Sequence, residues 1–263
     1  MLWNNSALGN CLSKYPIISG CFAMCCLLFV DSSALHAQSE HPGDPLHHDP
    51  HFEHESNVFV HALWDSKYES KGRDNLDEGG LGSFAVEWTT ESGNNEFVLG
   101  AWYAEGISAD YSELNVAAAY ILPNDSVDIT LGYTWLDFAE DDKSDNELSV
   151  EFGRSVLDSL NLIAAFVYST EASGTFIELI ASTEIIRNEF TLTPYALLGI
   201  NEGFVSGKHK GFNNLQFGIE AATPISDSLE LSGYVAFTIG LREEPGESPN
   251  DIFWVGLGLG FGN

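Results

Sequence analysis

Basic residues are scarce in this chain, and their scarcity excludes one class of partner at the outset. The 263 residues contain 39 Asp and Glu against 10 Lys and Arg, which gives a net charge of −29 with neutral histidine. A chain of that charge repels the phosphate backbone of DNA and RNA. Nucleic acid is therefore excluded as a partner, and a phosphate-binding cleft is not expected.

Cysteine is missing from the whole chain after residue 26. The four cysteines are Cys11, Cys21, Cys25 and Cys26. They lie in or near the apolar run Ile17 to Val30, IISGCFAMCCLLFV, which is followed by the small residues SSALHA. This arrangement is typical of a secretory signal peptide over residues 1–37, and the run is short for a membrane-spanning helix. Cleavage after Ala37 would leave a chain without disulfide or thiol chemistry.

Helical periodicity of useful length is also missing from Ser56 onward, and strict alternation takes its place. In Leu229 to Leu241, LELSGYVAFTIGL, one face carries Leu, Val, Phe and Ile, and the other carries Glu, Ser, Tyr and Thr. Val127 to Trp135, VDITLGYTW, repeats the pattern. A period of two predicts strands with one apolar and one polar face.

About twelve such segments can be counted, each near the nine to eleven residues that a tilted strand needs to cross a bilayer. They lie near 57–66, 82–90, 95–104, 112–121, 127–137, 146–154, 160–169, 175–184, 190–200, 214–223, 229–241 and 252–261.

The connections between these segments alternate in kind. Every second one is short and turn-like, as in SGNN, PNDS, LDS, RNE and PISDS. Those between them tend to be longer and charged, as in YESKGRDNLDEGG, FAEDDKSDN, EGFVSGKHKGF and REEPGESPND. An outer-membrane barrel has short periplasmic turns, long extracellular loops and both termini on the periplasmic side.

The sequence therefore predicts an all-β fold, a transmembrane antiparallel β-barrel of about twelve strands over residues 56–263. A soluble β-sandwich or lipocalin-like barrel also alternates and is the competing interpretation. Three observations oppose it: the chain after the secretory signal has no cysteine to stabilise a secreted domain, the polar face holds glycine and carboxylates, and aromatic residues lie near strand ends, where interfacial girdles belong. Those aromatics are Trp64, Trp88, Trp102, Trp135 and Phe253.

The last segment carries a resemblance to a known signal. FWVGLGLGF, Phe253 to Phe261, looks like the terminal strand that outer-membrane assembly machinery recognises, with Gly256, Leu259 and Phe261 in its glycine and hydrophobic positions. It departs from that signal at Trp254, where a polar residue is usual, and in the two residues after Phe261. The resemblance implies the assembly machinery as a partner.

The opening segment resembles a second pattern. NVFVHALWDSKYESKGRDNL, Asn57 to Leu76, is similar to the first strand of TorF-like putative porins of Gram-negative bacteria, which is followed by a Tyr-x-x-(Arg/Lys)-Gly stretch. Tyr68, Lys71 and Gly72 occupy those positions here. The resemblance implies a porin-like barrel in the cell outer membrane.

Inward-pointing polar faces would give this barrel an acidic lumen. The predicted lumen-lining residues are Glu87, Glu96, Glu113, Asp128, Glu147, Glu151, Glu178, Glu220 and Glu230, with Arg154 as almost the only cation at strand depth. Carboxylates in a low-dielectric channel raise the local concentration of cations. The alternative is that they are hydrated filler, with the acidity serving a salty habitat or divalent-ion bridging.

Three functions remain open for such a barrel. The first is a porin-like channel for passive diffusion of small hydrophilic solutes, with cations and neutral solutes favoured and no cofactor. The second is a non-conducting structural or adhesive barrel, since about twelve strands is near the size that side chains can nearly fill. The third is a barrel hydrolase, for which the sequence offers His61 on the lumen face and His209 in a loop, neither with a partner at a recognisable spacing.

Lys67, Lys71 and Arg73 form the one basic cluster after the signal. They lie beside Asp74, Asp77 and Glu78, so local ion pairing is one interpretation. Contact with lipopolysaccharide phosphates or another anionic ligand at the cell surface is the other. Lipopolysaccharide and outer-membrane lipid are thus expected partners.

The stretch HPGDPLHHDPHFEHE, His41 to Glu55, belongs to a flexible leader over residues 38–55, which the barrel would place on the periplasmic side. Imidazole and carboxylate suit zinc, copper or nickel. The candidate ligands are His47, His48, His51 and His54. Three prolines oppose a helix that would align them, which favours a weak chelator over a fixed site.

Overall fold

The computed structural model describes residues 56–76, 78–93, 95–124, 126–157, 160–207, 209–242 and 251–262. The predicted signal peptide and the leader lie outside these residues. The candidate metal ligands in the leader, His47, His48, His51 and His54, are outside them as well.

Twelve strands of the described chain form one closed antiparallel barrel, as the alternation predicts. These strands are β1 (Ser56–Asp65), β4 (Leu81–Ser92), β5 (Asn95–Gly106), β6 (Ser112–Leu122), β7 (Asp128–Phe138), β8 (Lys143–Leu157), β9 (Leu160–Ser169), β10 (Gly174–Thr183), β12 (Phe190–Glu202), β13 (Lys210–Ser226), β14 (Leu229–Gly240) and β15 (Ile252–Gly262). Each barrel strand pairs with the next along the chain, and β1 pairs with β15 to close the wall. Closure leaves no strand edge unpaired, which is the condition for crossing lipid with strands.

Three shorter strands lie outside this ring. The strands β2 (Glu69–Ser70) and β3 (Arg73–Asp74) pair only with each other, inside the connection between β1 and β4. The strand β11 (Ile185–Arg187) continues beside β12. A single 3-10 turn, Ala139–Asp141, follows β7, and within the described residues no helix is long and apolar enough to cross a membrane.

The two faces of each strand differ as the alternation predicts. In β14, Leu231, Val235 and Phe237 are exposed on the outside of the barrel, while Ser232 and Thr238 are buried inside it. An apolar outer surface of this kind suits the hydrocarbon of a bilayer, whereas a soluble barrel would place its apolar face inward. The interpretation as a soluble β-protein is therefore wrong, because the apolar side chains point outward.

The connections follow the predicted parity, with both chain ends of the barrel at the end of the short turns. Ser56 lies opposite Thr90, close to the turn between β4 and β5, and β15 ends at the same rim. Two of the predicted long loops are shorter than expected because β8 already begins at Lys143 and β13 at Lys210. The connection over residues 66–80, called loop 1 below, stays long.

Four of the five aromatic residues expected in a girdle point outward. Trp64, Trp88 and Phe253 are exposed on the outer surface, and Trp135 is half-buried. The expectation that Trp102 belongs to the girdle is wrong, because Trp102 is buried inside the barrel on the same face of β5 as Val98 and Ala104. Strand parity, and not closeness to a strand end, decides the side on which an aromatic ring lies.

Candidate solute pathway

The nine predicted lumen carboxylates all occupy inward positions of their strands. Five are buried and four are partly exposed; the buried ones are Glu113, Glu147, Glu151, Glu178 and Glu220, and the partly exposed ones are Glu87, Glu96, Asp128 and Glu230. Their strand neighbours point outward, as Phe152 does beside Glu151 and Leu179 beside Glu178. The inner wall therefore combines many carboxylates with small and polar side chains.

Two of these carboxylates share one neighbour on the strand between them. Glu151 of β8 and Glu178 of β10 both lie opposite Ala165 of β9. Adjacent strands are about 4.8 Å apart, so the two backbones lie about 10 Å from each other with only a methyl group between. The two carboxylates are therefore close neighbours on the inner wall.

The expectation that Arg154 lies in the lumen is wrong. Arg154 has the parity of Phe152 in β8 and is exposed on the outer surface near the short-turn rim. A long cationic side chain at that height reaches the interface with its charge in water. Among the residues that the structure describes, the buried cation is Lys71, which comes from loop 1.

Loop 1 does not extend from the barrel but enters the lumen. Tyr68, Glu69, Ser70, Lys71 and Leu76 are all buried. The hairpin of β2 and β3 therefore lies across the lumen at the end of the long loops, and the expectation of a surface-exposed basic cluster is wrong for Lys71. Of the predicted local ion pairs, Lys67 forms one with Asp74 at 2.5 Å.

The hairpin turns at Lys71 and Gly72, which both have positive φ, of 51° and 76°. A two-residue turn with positive φ at both positions usually carries Asn-Gly or Asp-Gly, so a lysine at the first position is unusual and strained. The backbone N–H of Gly72 donates to Glu69 at 2.8 Å. A Cβ atom at Gly72 would meet Asn213 Nδ2 at 2.6 Å, so the turn lies tightly against β13.

Tyr68 anchors the loop to β6, two strands along the wall from β4. Its hydroxyl donates to Glu113 Oε2 at 2.8 Å, and its ring centre lies 6.1 Å from that of Trp102. Tyr111 donates to the same oxygen, and Asn115 donates to the other at 2.9 Å. Burial, and next the neighbouring Glu113 charge, raise the pKa of Tyr68 well above its usual value, so it stays a neutral donor.

Lys71 lies in a seat made by three elements of the barrel. Its Nζ is 3.9 Å from Glu147 Oε1 and 4.5 Å from the ring centre of Phe204, in the connection between β12 and β13. Asn213 holds the backbone by donating to the Lys71 carbonyl at 2.8 Å. An ion pair and a cation–π contact thus meet on one ammonium group.

The hairpin also carries a carboxyl group with an altered pKa. Burial raises the pKa of Glu69 to about 8; the Gly72 N–H, Lys71 and Arg73 lower it, and Glu178 raises it further. Burial, and next the nearby Arg242, lower the pKa of Arg73. Glu69 therefore changes charge close to neutral pH while it lies against the wall of the lumen.

The lumen differs between its two ends. Around loop 1 the inward side chains are enclosed, with relative exposures of 1% or less for Phe176, Asn201, Asn213, Gln216 and Thr238. Toward the short-turn rim, Glu87, Glu96, Asp128 and Glu230 keep partial exposure. The interior is therefore more enclosed around loop 1 than toward the short-turn rim.

The two histidines considered for hydrolysis lie apart. His61 is buried on the inner face, where it stacks on Phe59 with ring centres 6.2 Å apart and lies beside Gly258. His209 is at the long-loop end, with its Nε2 2.9 Å from the Phe212 carbonyl oxygen. Within the described residues, no group of three or more His, Cys, Asp or Glu is arranged to hold a metal ion.

Sequence reasoning missed the seat of Lys71 and the anchor at Glu113. Glu113 was expected in the lumen wall but not as the acceptor for Tyr68, which is 45 residues away. One signal was present: Lys71-Gly72 between polar residues is a possible two-residue turn. Nothing in the spacing indicates that the turn points inward.

Comparisons with known proteins show which solved structures have a similar fold. No family model matches the chain, and no curated protein matches it. Among solved structures, the KdgM porin has a TM-score of 0.53 at 9% identity, and the match covers 78% of this chain and 98% of that one. The NanC porin has a TM-score of 0.50 at 10% identity, with 78% and 98% covered. These likenesses establish a barrel fold of the outer-membrane porin type.

Proposed function

We propose that this protein is a porin-like channel of the Gram-negative outer membrane, through which small hydrophilic solutes diffuse passively. Its acidic lumen favours cations and neutral solutes. The observation that carries the proposal is the division of the wall, with carboxylates such as Glu151 and Glu220 inside and apolar side chains outside. Carboxylates within a low-dielectric wall concentrate cations and repel anions.

Reconstitution in a planar bilayer under a salt gradient tests this proposal. We expect a reversal potential of the sign for cation preference. An anion-selective potential would contradict the role of the carboxylates. A refolded chain whose migration on a denaturing gel did not change on heating would contradict a stable barrel.

A non-conducting structural or adhesive barrel is the second candidate, and the enclosed side chains around loop 1 favour it. Replacing residues 69–74 by a short Gly-Ser link distinguishes the two candidates by the conductance of the variant. A channel narrowed by the hairpin conducts more after the replacement and keeps its cation preference. A structural barrel whose interior is filled conducts neither before nor after the replacement.

Hydrolysis is the third candidate, and we propose that the protein is not an enzyme and needs no cofactor. His61 packs on Phe59 in the inner wall, which is a sufficient reason for its burial. An assay of phospholipid hydrolysis with the unmutated protein tests this. If the unmutated protein hydrolysed phospholipid and His61→Ala abolished that activity, the protein would be an enzyme and this proposal would be wrong.

We further propose that the C-terminal strand is the contact for the outer-membrane assembly machinery. Leu259 and Phe261 of β15 are exposed on the outer surface, where a binding protein can reach them before the barrel closes. In the membrane, lipid then covers this surface, and lipopolysaccharide covers the part of the outer wall nearer the long loops. Phe261→Ala should reduce the amount of assembled barrel without changing the conductance of each assembled molecule.

Membership of the TorF-like porins remains our proposal at the level of the family. The positions that carry the resemblance, Tyr68, Lys71 and Gly72, all have contacts inside the lumen. A motif with that role would need an acceptor like Glu113 and a carboxylate like Glu147 on the facing strands. Related chains that keep the motif but lack both partners would contradict the assignment.

A further inference from the structure

The seat of Lys71 brings a carboxylate, an aromatic ring and an amide side chain together from different elements of the barrel. Its walls belong to β8, β13 and the connection after β12, and only the ammonium group comes from loop 1. Glu147 supplies charge and Phe204 supplies the face of an aromatic ring. Aromatic rings beside carboxylates are the common means by which proteins bind organic cations.

The seat retains capacity to accept hydrogen bonds. The distance of 3.9 Å between Lys71 Nζ and Glu147 Oε1 is longer than a direct hydrogen bond. The other oxygen, Glu147 Oε2, is buried and has no hydrogen-bond partner among the described residues. Glu69 Oε2 is in the same state on the hairpin. A buried carboxylate oxygen without a donor is costly, so a ligand that donates to it gains free energy.

Charge supports the same conclusion. Glu113, Glu147 and Glu178 lie close enough to Lys71 or to one another to interact electrostatically. One ammonium therefore faces several carboxylates, and a cation in this seat is favoured over an anion or a neutral solute. Within the described residues no cluster is arranged for a metal ion, which favours an organic ammonium over a metal.

We propose that the seat formed by Glu147, Phe204 and Asn213 is a binding site for the primary ammonium group of a solute, and that Lys71 occupies it as a tethered competitor. A solute with an alkylammonium end displaces Lys71, and the hairpin then leaves the lumen. The inference rests on the proposed channel and names the class of solute that opens it.

Binding of n-butylammonium, which matches the lysine side chain, tests the site directly. The affinity is measured by calorimetry on the refolded chain, with n-butanol as the uncharged control. A competitor that fills the seat about nine-tenths of the time weakens the apparent affinity about tenfold. Lys71→Met, which keeps the length of the side chain, should therefore bind n-butylammonium about tenfold more tightly than the unmutated chain.

Arg73→Met is the matched control, because it removes the same charge from the same hairpin outside the seat. It should change the affinity by less than about threefold, through the general field alone. The double variant Lys71→Met with Glu147→Gln should lose the gain. Equal tightening by Lys71→Met and Arg73→Met, or no tightening by Lys71→Met, would overturn the proposal.

Limited digestion with trypsin gives a test that needs no variant. Lys71 and Arg73 are shielded while the hairpin lies in the lumen, so cleavage after them reports its release. We expect n-butylammonium, and not n-butanol, to accelerate that cleavage in the unmutated chain. Unchanged cleavage at saturating n-butylammonium would contradict the displacement of Lys71.

The outcomes separate this inference from the proposed channel. A chain that conducts with cation preference but binds n-butylammonium equally with and without Lys71 overturns the site alone. A chain that binds as expected but never conducts overturns the channel and leaves the site.

Discussion

Tyr68 donates a hydrogen bond from its hydroxyl to Glu113 at 2.8 Å and so joins loop 1 to β6 in the wall of the lumen. The two residues are 45 positions apart, and the bond is buried. Glu113 also accepts from Tyr111 and Asn115, so it keeps partners if Tyr68 is lost. Removing this bond therefore tests how strongly the loop is held, because the Glu113 carboxylate keeps its other donors.

Tyr68→Phe should raise the fraction of time that the channel is open. A hydrogen bond to a charged group contributes about 1.5–3 kcal/mol, which corresponds to a shift in the closed-to-open ratio of about tenfold or more. Single-channel recording measures the ratio. Tyr103→Phe, on the exposed outer face, is the control and should leave it unchanged. Equal ratios in the two variants would remove Tyr68 as the anchor.

Gly72→Ala should also release the hairpin, for a steric reason. An alanine at a φ of 76° costs about 1–2 kcal/mol, and its Cβ would meet Asn213 Nδ2 at 2.6 Å. Faster cleavage by trypsin at Lys71 is the expected result. Gly93→Ala is the matched control, since Gly93 has a φ of 67° but nothing within 4 Å of the added atom. If Gly93→Ala exposed the hairpin as much as Gly72→Ala, backbone strain alone would explain the effect.

The barrel could be predicted from the sequence because lipid selects side chains with a period of two. The segment predicted near 160–169 coincides with β9, Leu160–Ser169, and the parity of the turns places both ends of the barrel on one rim. Alternation is a local property, and a strand boundary follows from residues that adjoin it. The inward direction of Glu151 and Glu178 follows from the same alternation.

The path of loop 1 could not be predicted because contacts distant in sequence hold it. Lys71 lies against Glu147 and Phe204, and neither neighbour leaves a mark in the local pattern around residue 71. Trp102 differs, because its inward position follows from the local parity of β5, and only its contact with Tyr68 of the loop is distant in sequence. A charged loop is usually assigned to the surface, so composition alone predicts the wrong position.

Conductance should rise with pH through a window set by Glu69. Its pKa is about 8 in the seated hairpin against 4.5 in water, so the neutral form is favoured while the hairpin is in place. The seated state is therefore most stable below about pH 4.5 and loses that contribution as pH rises through 8. Lys71, Arg73 and Glu178 are the charged groups that face it.

Glu69→Gln should flatten this pH dependence, because the amide still accepts from Gly72 but does not ionise. Single-channel recording between pH 5 and 9 measures it. Glu171→Gln, on the exposed turn after β9, should keep the dependence of the unmutated protein. A falling open fraction between pH 6 and 9 in the unmutated protein would contradict the sign.

Deletion of His41 to Glu55 should leave insertion and conductance intact. The stretch precedes β1, which begins at Ser56 on the short-turn rim, and the wall closes without it. Its histidines, His47, His48, His51 and His54, would bind zinc weakly in the isolated peptide. Heat-modifiable migration and bilayer conductance of the deleted chain measure the effect. Loss of either would give the leader a role as a plug or a metal site.

The selectivity of the channel should depend on the pair of carboxylates that flank Ala165. Glu151→Gln with Glu178→Gln removes two carboxyl groups from inner positions on either side of Ala165 while it keeps the size of both side chains. Fewer cations then gather in the lumen, so the reversal potential under a salt gradient should move toward zero. A control with Glu171→Gln at the exposed turn should keep the full potential, because charges outside the wall are screened within about 10 Å at 0.1 M salt. If both variants moved the potential equally, the selectivity would arise from the overall charge of −29 and not from the carboxylates of the inner wall.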